Sequence, residues 1–162
     1  MTESHRYGIH NRKAGGKMIR TILVVCTGNI CRSPIGEGLL RSRLPGIEVV
    51  SAGTSALVGA PAHALASSVS AEAGIDISAH RAQQLTAALV RHADIVLTME
   101  AGQQREIVER HPFSLGRVFQ LDGRNGIDVP DPYLKPIDAF RHAYSLIDRG
   151  VNAWVPKIQA LR

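Results

Sequence analysis

The sequence predicts a single α/β domain of three layers, a parallel sheet covered by helices on both faces. Three observations carry this. A chain of 162 residues is the size of one domain with a substantial core. Short, continuously apolar segments alternate with longer segments of helical spacing, as expected for strands buried on both sides. The first apolar segment also runs into a cysteine, a short loop and a helix, the unit in which such sheets hold ligands at strand ends.

In chain order, residues 1–17 (MTESHRYGIHNRKAGGK) are polar, basic and aperiodic, and read as a disordered tail ahead of a domain spanning 18–162. Gly15-Gly16-Lys17 is no Walker loop, because no Ser or Thr follows and no strand precedes it. A first strand is expected over 20–26, then a helix from about 33 to 44 carrying Leu39, Leu40 and Leu44, which Pro45-Gly46 stops. A second strand follows over 47–51, a small-residue loop over 53–61, and a helix over 62–73 closed by Gly74. Thr86 is placed to cap a helix running to about His92. A third strand is expected over 94–99, a helix over 101–110 with Pro112 beyond it, and a short fourth strand over 117–121. A loop rich in Gly, Pro and Asp occupies 122–136, and the last helix runs from 138 to about 161.

Composition narrows the function classes. Hydrophobic content of 44% and charged content of 20% are ordinary for a soluble globular protein. No stretch approaches the ~18 apolar residues of a membrane span, and no secretory signal core is visible near the N-terminus. The net charge of +5 is concentrated in the tail; beyond residue 17 there are 15 basic and 13 acidic residues. With aromatics at 4%, nucleic-acid binding is not expected. Two cysteines five positions apart make no useful disulfide framework, so a reducing, cytoplasmic setting is expected. They also lack the second ligand pair of a zinc site, so no metal is expected.

The chemistry sits in Val24 to Pro34, which reads Val-Val-Cys-Thr-Gly-Asn-Ile-Cys-Arg-Ser-Pro. Cys26 stands at a strand end, and the residues after it can turn backbone N–H groups inward beside the positive end of a helix dipole. Thr27, Gly28, Asn29, Ile30 and Cys31 form the loop. Gly28 is expected to supply a position free of side-chain restriction, and Asn29 tolerates left-handed geometry. Arg32 adds a planar fork matched to two phosphate oxygens. The positive field favours the nucleophilic thiolate of Cys26, and Ser33 can donate to its sulfur. Together these suit a cysteinyl-phosphate intermediate.

This segment resembles the signature Cys-x5-Arg-Ser of the low-molecular-weight protein-tyrosine phosphatases. The likeness runs from Met18 onward and includes Ser51-Ala52-Gly53, Leu97-Thr98-Met99-Glu100 and Asp131-Pro132-Tyr133. It is nearest to the bacterial subgroup associated with exopolysaccharide export. The resemblance implies a four-stranded parallel sheet of flavodoxin-like order 2-1-3-4 and no cofactor. It implies hydrolysis of phosphotyrosine in proteins with inorganic phosphate as product. The implied partner is a tyrosine-phosphorylated protein, a membrane tyrosine autokinase of exopolysaccharide synthesis or export.

A phenolate leaves poorly unless protonated, so a general acid is needed opposite the nucleophile. Asp128 and Asp131 both lie in the late loop, and the family motif assigns Asp131 as the acid. By the same resemblance, Tyr133, Ile30 and Leu57 form the substrate walls, and Asn29, Ser51 and His80 support the loop. Isoleucine at Ile30 is the residue of tyrosine phosphatases, where protein-arginine phosphatases carry threonine. Leu57, Leu134 and Gln83 depart from residues common among relatives, so Gln83 puts part of the supporting network in question. Cys31 is read two ways, as filler beneath the loop or as a thiol that traps oxidised Cys26. Other readings of the same loop are a protein-arginine phosphatase, a non-catalytic phosphotyrosine-binding module, and an arsenate reductase. The last lacks the further cysteines its disulfide cascade requires.

Overall fold

The computed structural model describes residues 18–161. The expected tail over 1–17, and residue 162, lie outside the described residues. Strand β1 (Thr21–Cys26) is buried along its whole length and pairs in parallel with β2 (Glu48–Gly53) on one side and β3 (Ile95–Thr98) on the other. Strand β4 (Val118–Gln120) extends the sheet beyond β3. The order is therefore β2-β1-β3-β4, as the family resemblance implies.

The helices are α1 (Arg32–Arg43), α2 (Ala64–Glu72), α3 (Ala87–His92), α4 (Ala101–Arg110) and α5 (Ile137–Gln159), with a 3-10 turn over Pro112–Ser114. Side chains alternate across β1, so Ile22, Val24 and Cys26 join one core with Leu39 and Leu40 of α1, Val69 of α2 and Phe140 of α5. Leu23 and Val25 join the other, with Val90 of α3 and Ile107 of α4. Two cores on opposite faces of one sheet make the three layers.

Most element ends follow from local chemistry. Pro34 sits in the first turn of α1, where a missing N–H is tolerated, and Gly46 past its end takes φ 91°. Thr86 caps α3 by accepting from the Leu89 amide at 3.2 Å. Glu100 and Gln103 form a reciprocal capping box on α4. Trp154 of α5 donates to the Leu121 carbonyl at 2.9 Å, fastening the last helix to the end of β4.

Element ends shift slightly from the sequence reading, and two of the shifts have a clear structural cause. The helix expected from residue 62 starts at Ala64, because His63 is its N-cap and takes φ −57°, ψ 140°. Strand β2 runs on to Gly53, a residue assigned to the following loop. It continues in the sheet because it stays in register with Cys26 and bridges to Gln84.

Candidate active site

Sheet register brings the end of β1 beside the ends of β2 and β3, and the loop after Cys26 enters α1 at Arg32. Within this loop it is Asn29 that takes the left-handed conformation, with φ 58°. The role expected of Gly28 is therefore corrected. A Cβ there would meet only Ile30 Cγ1 at an ordinary 3.7 Å. The glycine that the loop does require is Gly53, where a Cβ would stand 2.3 Å from the Thr27 carbonyl oxygen.

Asn29 is fully buried and uses its side chain in full. Nδ2 donates to Ser33 Oγ at 2.7 Å and to Ser51 Oγ at 2.9 Å, while Oδ1 accepts from the Gln83 amide at 2.8 Å. Its carbonyl accepts from His80 Nε2 at 2.6 Å. Ser51 in turn donates to Glu37 Oε1 at 2.6 Å. Because Ser33 Oγ accepts from Asn29, its own hydrogen is free to point at Cys26 Sγ, 3.0 Å away, and the Ser33 amide lies 3.4 Å from the same sulfur. The buried sulfur thus ends a hydrogen-bond chain that begins at Glu37. Gln83 joins the network, its Nε2 donating to the Ser51 carbonyl at 3.0 Å.

Arg32 is 1% exposed, yet its guanidinium reaches three elements. Nη1 donates to Glu100 Oε2 at 2.5 Å and to the Val129 carbonyl at 2.7 Å. Nη2 faces Thr27 Oγ1 at 3.5 Å and Asp131 Oδ2 at 3.7 Å. One arm of the fork is therefore committed to protein acceptors, and the other faces the cradle. A paired carboxylate keeps a buried cation tolerable. Gln103 buttresses the same corner by donating to Thr27 Oγ1 at 3.2 Å.

The two late aspartates have different environments. Asp128 Oδ1 accepts from the Ala101 amide at 2.9 Å and from Gln120 Nε2 at 2.7 Å, so it is held at the start of α4. The Asp131 side chain is 50% exposed, with Oδ1 accepting from the Tyr133 amide at 3.1 Å. It is a turn former and also faces Arg32. Ile30 is buried, whereas Tyr133 and Leu57 are 43% and 48% exposed. The Leu57 loop is tied to the cradle by amides of Thr54, Ser55 and Leu57, which donate to the carbonyls of Cys26, Thr27 and Gly28 at 2.9–3.1 Å. Leu134 beside Tyr133 is 83% exposed and takes φ 67°.

Cys31 lies buried in the core under the loop. Burial, reinforced by the neighbouring Cys26 and Asp131 and only partly offset by Arg32, pushes its thiol up to about 12. Among the described residues no group of three His, Cys, Asp or Glu side chains could hold a metal ion. A cavity of about 490 Å³ opens away from Cys26. It lies behind the network, against Glu37, Ser51, His80 and Gln83.

Sequence reasoning missed four residues that matter to this geometry: Glu37, Glu100, Gln103 and His63. Glu100 stood in the Leu97–Glu100 segment and Gln103 is a residue type that a capping box uses three positions past the cap, but Glu is not a usual cap, so neither announced its role. Glu37 and His63 carried none, because the partners that place them at the site, Ser51 for Glu37 and Ile30, Tyr133 and Phe140 for His63, are distant in sequence.

The model for "Low molecular weight phosphotyrosine protein phosphatase" matches residues 21–162. The chain is 56% identical over 144 residues to a probable low molecular weight protein-tyrosine-phosphatase, EpsP, of Ralstonia nicotianae, covering 89% of this chain and 99% of that protein. Among solved structures, Vibrio vulnificus Wzb in complex with benzylphosphonate superposes with a TM-score of 0.83 at 42% identity, over 86% of this chain and 99% of that one. The YwlE arginine phosphatase of Geobacillus stearothermophilus superposes with a TM-score of 0.82 at 37% identity, over 87% and 94%.

Proposed function

This chain belongs to the low molecular weight phosphotyrosine protein phosphatases, and from that premise we propose that it hydrolyses phosphotyrosine in proteins through a cysteinyl-phosphate on Cys26. The observation that carries the reading is the chain Glu37–Ser51–Asn29–Ser33 ending on Cys26 Sγ, with Arg32 and Asp131 3.7 Å apart beside it.

In the first step the Cys26 thiolate attacks phosphorus, forming the S–P bond as the P–O bond to the phenol breaks. Arg32 Nη2 and the amides of residues 27–31 hold the three non-bridging oxygens, where charge is greatest. Asp131, protonated, gives its hydrogen to the departing phenolate oxygen. In the second step the Asp131 carboxylate takes a proton from water, whose oxygen attacks phosphorus. The S–P bond then breaks and inorganic phosphate leaves. The Ser33 hydroxyl donates to the sulfur at both ends of the cycle, stabilising nucleophile and leaving group alike. Ile30, Leu57 and Tyr133 flank the substrate ring.

Cys26→Ser abolishes turnover of aryl phosphates. Asp131→Asn leaves slow turnover, least impaired for leaving groups that depart without a proton. Full activity in Cys26→Ser, or a uniform loss across leaving groups in Asp131→Asn, refutes the assignment.

The solved arginine phosphatase of the same fold makes phosphoarginine the second substrate to assay. Ile30 and the Tyr133 wall favour a phenyl ring, and a preference for phosphoarginine peptides reverses this reading. We place the protein in the cytoplasm, acting on a membrane tyrosine autokinase of exopolysaccharide synthesis or export; no described helix is long and apolar enough to cross a membrane. Trapping with Asp131→Ala from lysate tests it, and failure to enrich a tyrosine-phosphorylated kinase counts against that partner.

A further inference from the structure

His63 joins the cradle to the substrate wall, yet it is neither a loop residue nor part of the Asn29 network. It is the N-cap of α2, and its Nδ1 accepts from the Leu65 amide at 3.0 Å, so that Nδ1 carries no hydrogen. Its own amide donates to the Ile30 carbonyl at 2.8 Å, which ties it to the anion loop. One face of the ring stacks on Phe140 of α5, with centroids 4.8 Å apart and planes at 30°. Phe140 is fully buried, so this floor is rigid. The ring then meets Tyr133 edge-to-face, at 6.0 Å and 87°. Tyr133 needs such an anchor, because it is exposed and Leu134 next to it sits at positive φ.

We propose that His63 is a positioning residue for the aromatic part of the substrate, setting the Tyr133 wall relative to the anion loop without touching the phosphate. The proposal rests on the phosphatase reading and deepens it, since it concerns how the site selects a phenyl ring. Two contacts fix the imidazole itself, the Leu65 amide and the Phe140 ring, a third holds its backbone on Ile30, and the Tyr133 edge is what they orient. An edge-to-face pair of this kind is favourable at centroid distances of about 4.5–7 Å. Its loss frees the wall while leaving Arg32, Asn29 and Ser33 in place.

The test separates ring from cap. His63→Asn keeps a good N-cap acceptor and removes the ring. His63→Phe keeps a ring and removes the acceptor. For each, KM for p-nitrophenyl phosphate is measured beside the inhibition constant of inorganic phosphate and the melting temperature. H63N raises KM roughly 2- to 10-fold, the range an aromatic pair supports, with the phosphate constant unchanged. H63F keeps KM near wild type and melts lower. In a Tyr133→Ala background H63N adds nothing further to KM, because its effect passes through that ring. An unchanged KM in H63N, a parallel rise in KM and phosphate constant, or additivity with Y133A overturns the proposal. A wild type inert toward aryl phosphates removes the phosphatase reading itself, a result distinct from an active wild type indifferent to H63N.

Discussion

Replacing Gly53 with alanine perturbs the anion loop while leaving every side chain assigned to the chemistry unchanged. The added Cβ lands 2.3 Å from the Thr27 carbonyl oxygen and 3.1 Å from both the Asn29 amide nitrogen and Asn29 Cβ. The first two are backbone atoms, so no flexible side chain can yield. Gly53 cannot retreat easily either. Its amide donates to the Gln83 carbonyl at 2.9 Å and its carbonyl accepts from the Leu85 amide at 2.8 Å. The worst contact must open by about 0.7 Å to reach the 3.0 Å below which real Cβ contacts essentially never fall. That displacement falls on the segment that aims Asn29 at Ser33, and hence Ser33 at the sulfur. A misplacement near 1 Å at a reacting centre costs on the order of 10²-fold, so kcat/KM should drop roughly 10- to 100-fold. Overpacking of this type costs about 1–3 kcal/mol, and at this chain length that lowers Tm by roughly 2 to 12 °C. Steady-state hydrolysis of p-nitrophenyl phosphate with phosphate as inhibitor reads the first effect, and thermal melting reads the second. A Gly53→Ala variant with wild-type kcat/KM and wild-type phosphate inhibition refutes the claim that this close approach shapes the loop.

Two further predictions concern stability. Cys31 has its thiol raised from 9.0 to about 12 in the folded chain, so it binds its proton more tightly folded than unfolded. Its contribution is complete below pH 9 and disappears as pH climbs toward 12. The loss of unfolding free energy between pH 8 and 11, measured in urea, should be shallower in Cys31→Ala; equal slopes contradict it. Gly102 is exposed inside α4, where an added Cβ would meet only Arg105 Nη2 at 3.8 Å. Gly102→Ala should stabilise by about 0.4–1 kcal/mol, chiefly through the unfolded chain, and a drop in Tm contradicts that.

What the sequence made legible was whatever depends on neighbours in the chain. Continuous apolar runs gave the strands, and Pro45-Gly46, Gly74 and Thr86 marked helix ends. The spacing from Cys26 to Arg32 gave the loop. The misreadings arose where distant segments decide. Gly28 and Asn29 both tolerate unusual backbone, and only the fold assigns the left-handed turn to Asn29, whose side chain finds Ser33, Ser51 and Gln83. Gly53 looked like a loop residue because nothing in its local sequence announces that Thr27 lies against it. Glu37 reads as one more polar position on a helix until β2 brings Ser51 to it. Glu100 looked like part of a motif, but its work is to share the Arg32 guanidinium. His63 is an unusual N-cap choice, and its Nδ1 serves where an aspartate or serine oxygen is common.

The indole of Trp154 has a use beyond fastening α5 to the end of β4. It is the chain's one tryptophan, half-buried at that seam, with Phe119 5.4 Å away and the Lys157 ammonium 4.9 Å over its ring. Tryptophan emission, excited selectively over the three tyrosines, therefore comes from a single known address. Because α5 also carries Phe140, the floor beneath His63, undocking of that helix would register in the emission and in the substrate wall together. The protein thus carries a built-in optical gauge of whether its aromatic pocket is assembled, readable without labels and while the enzyme is working.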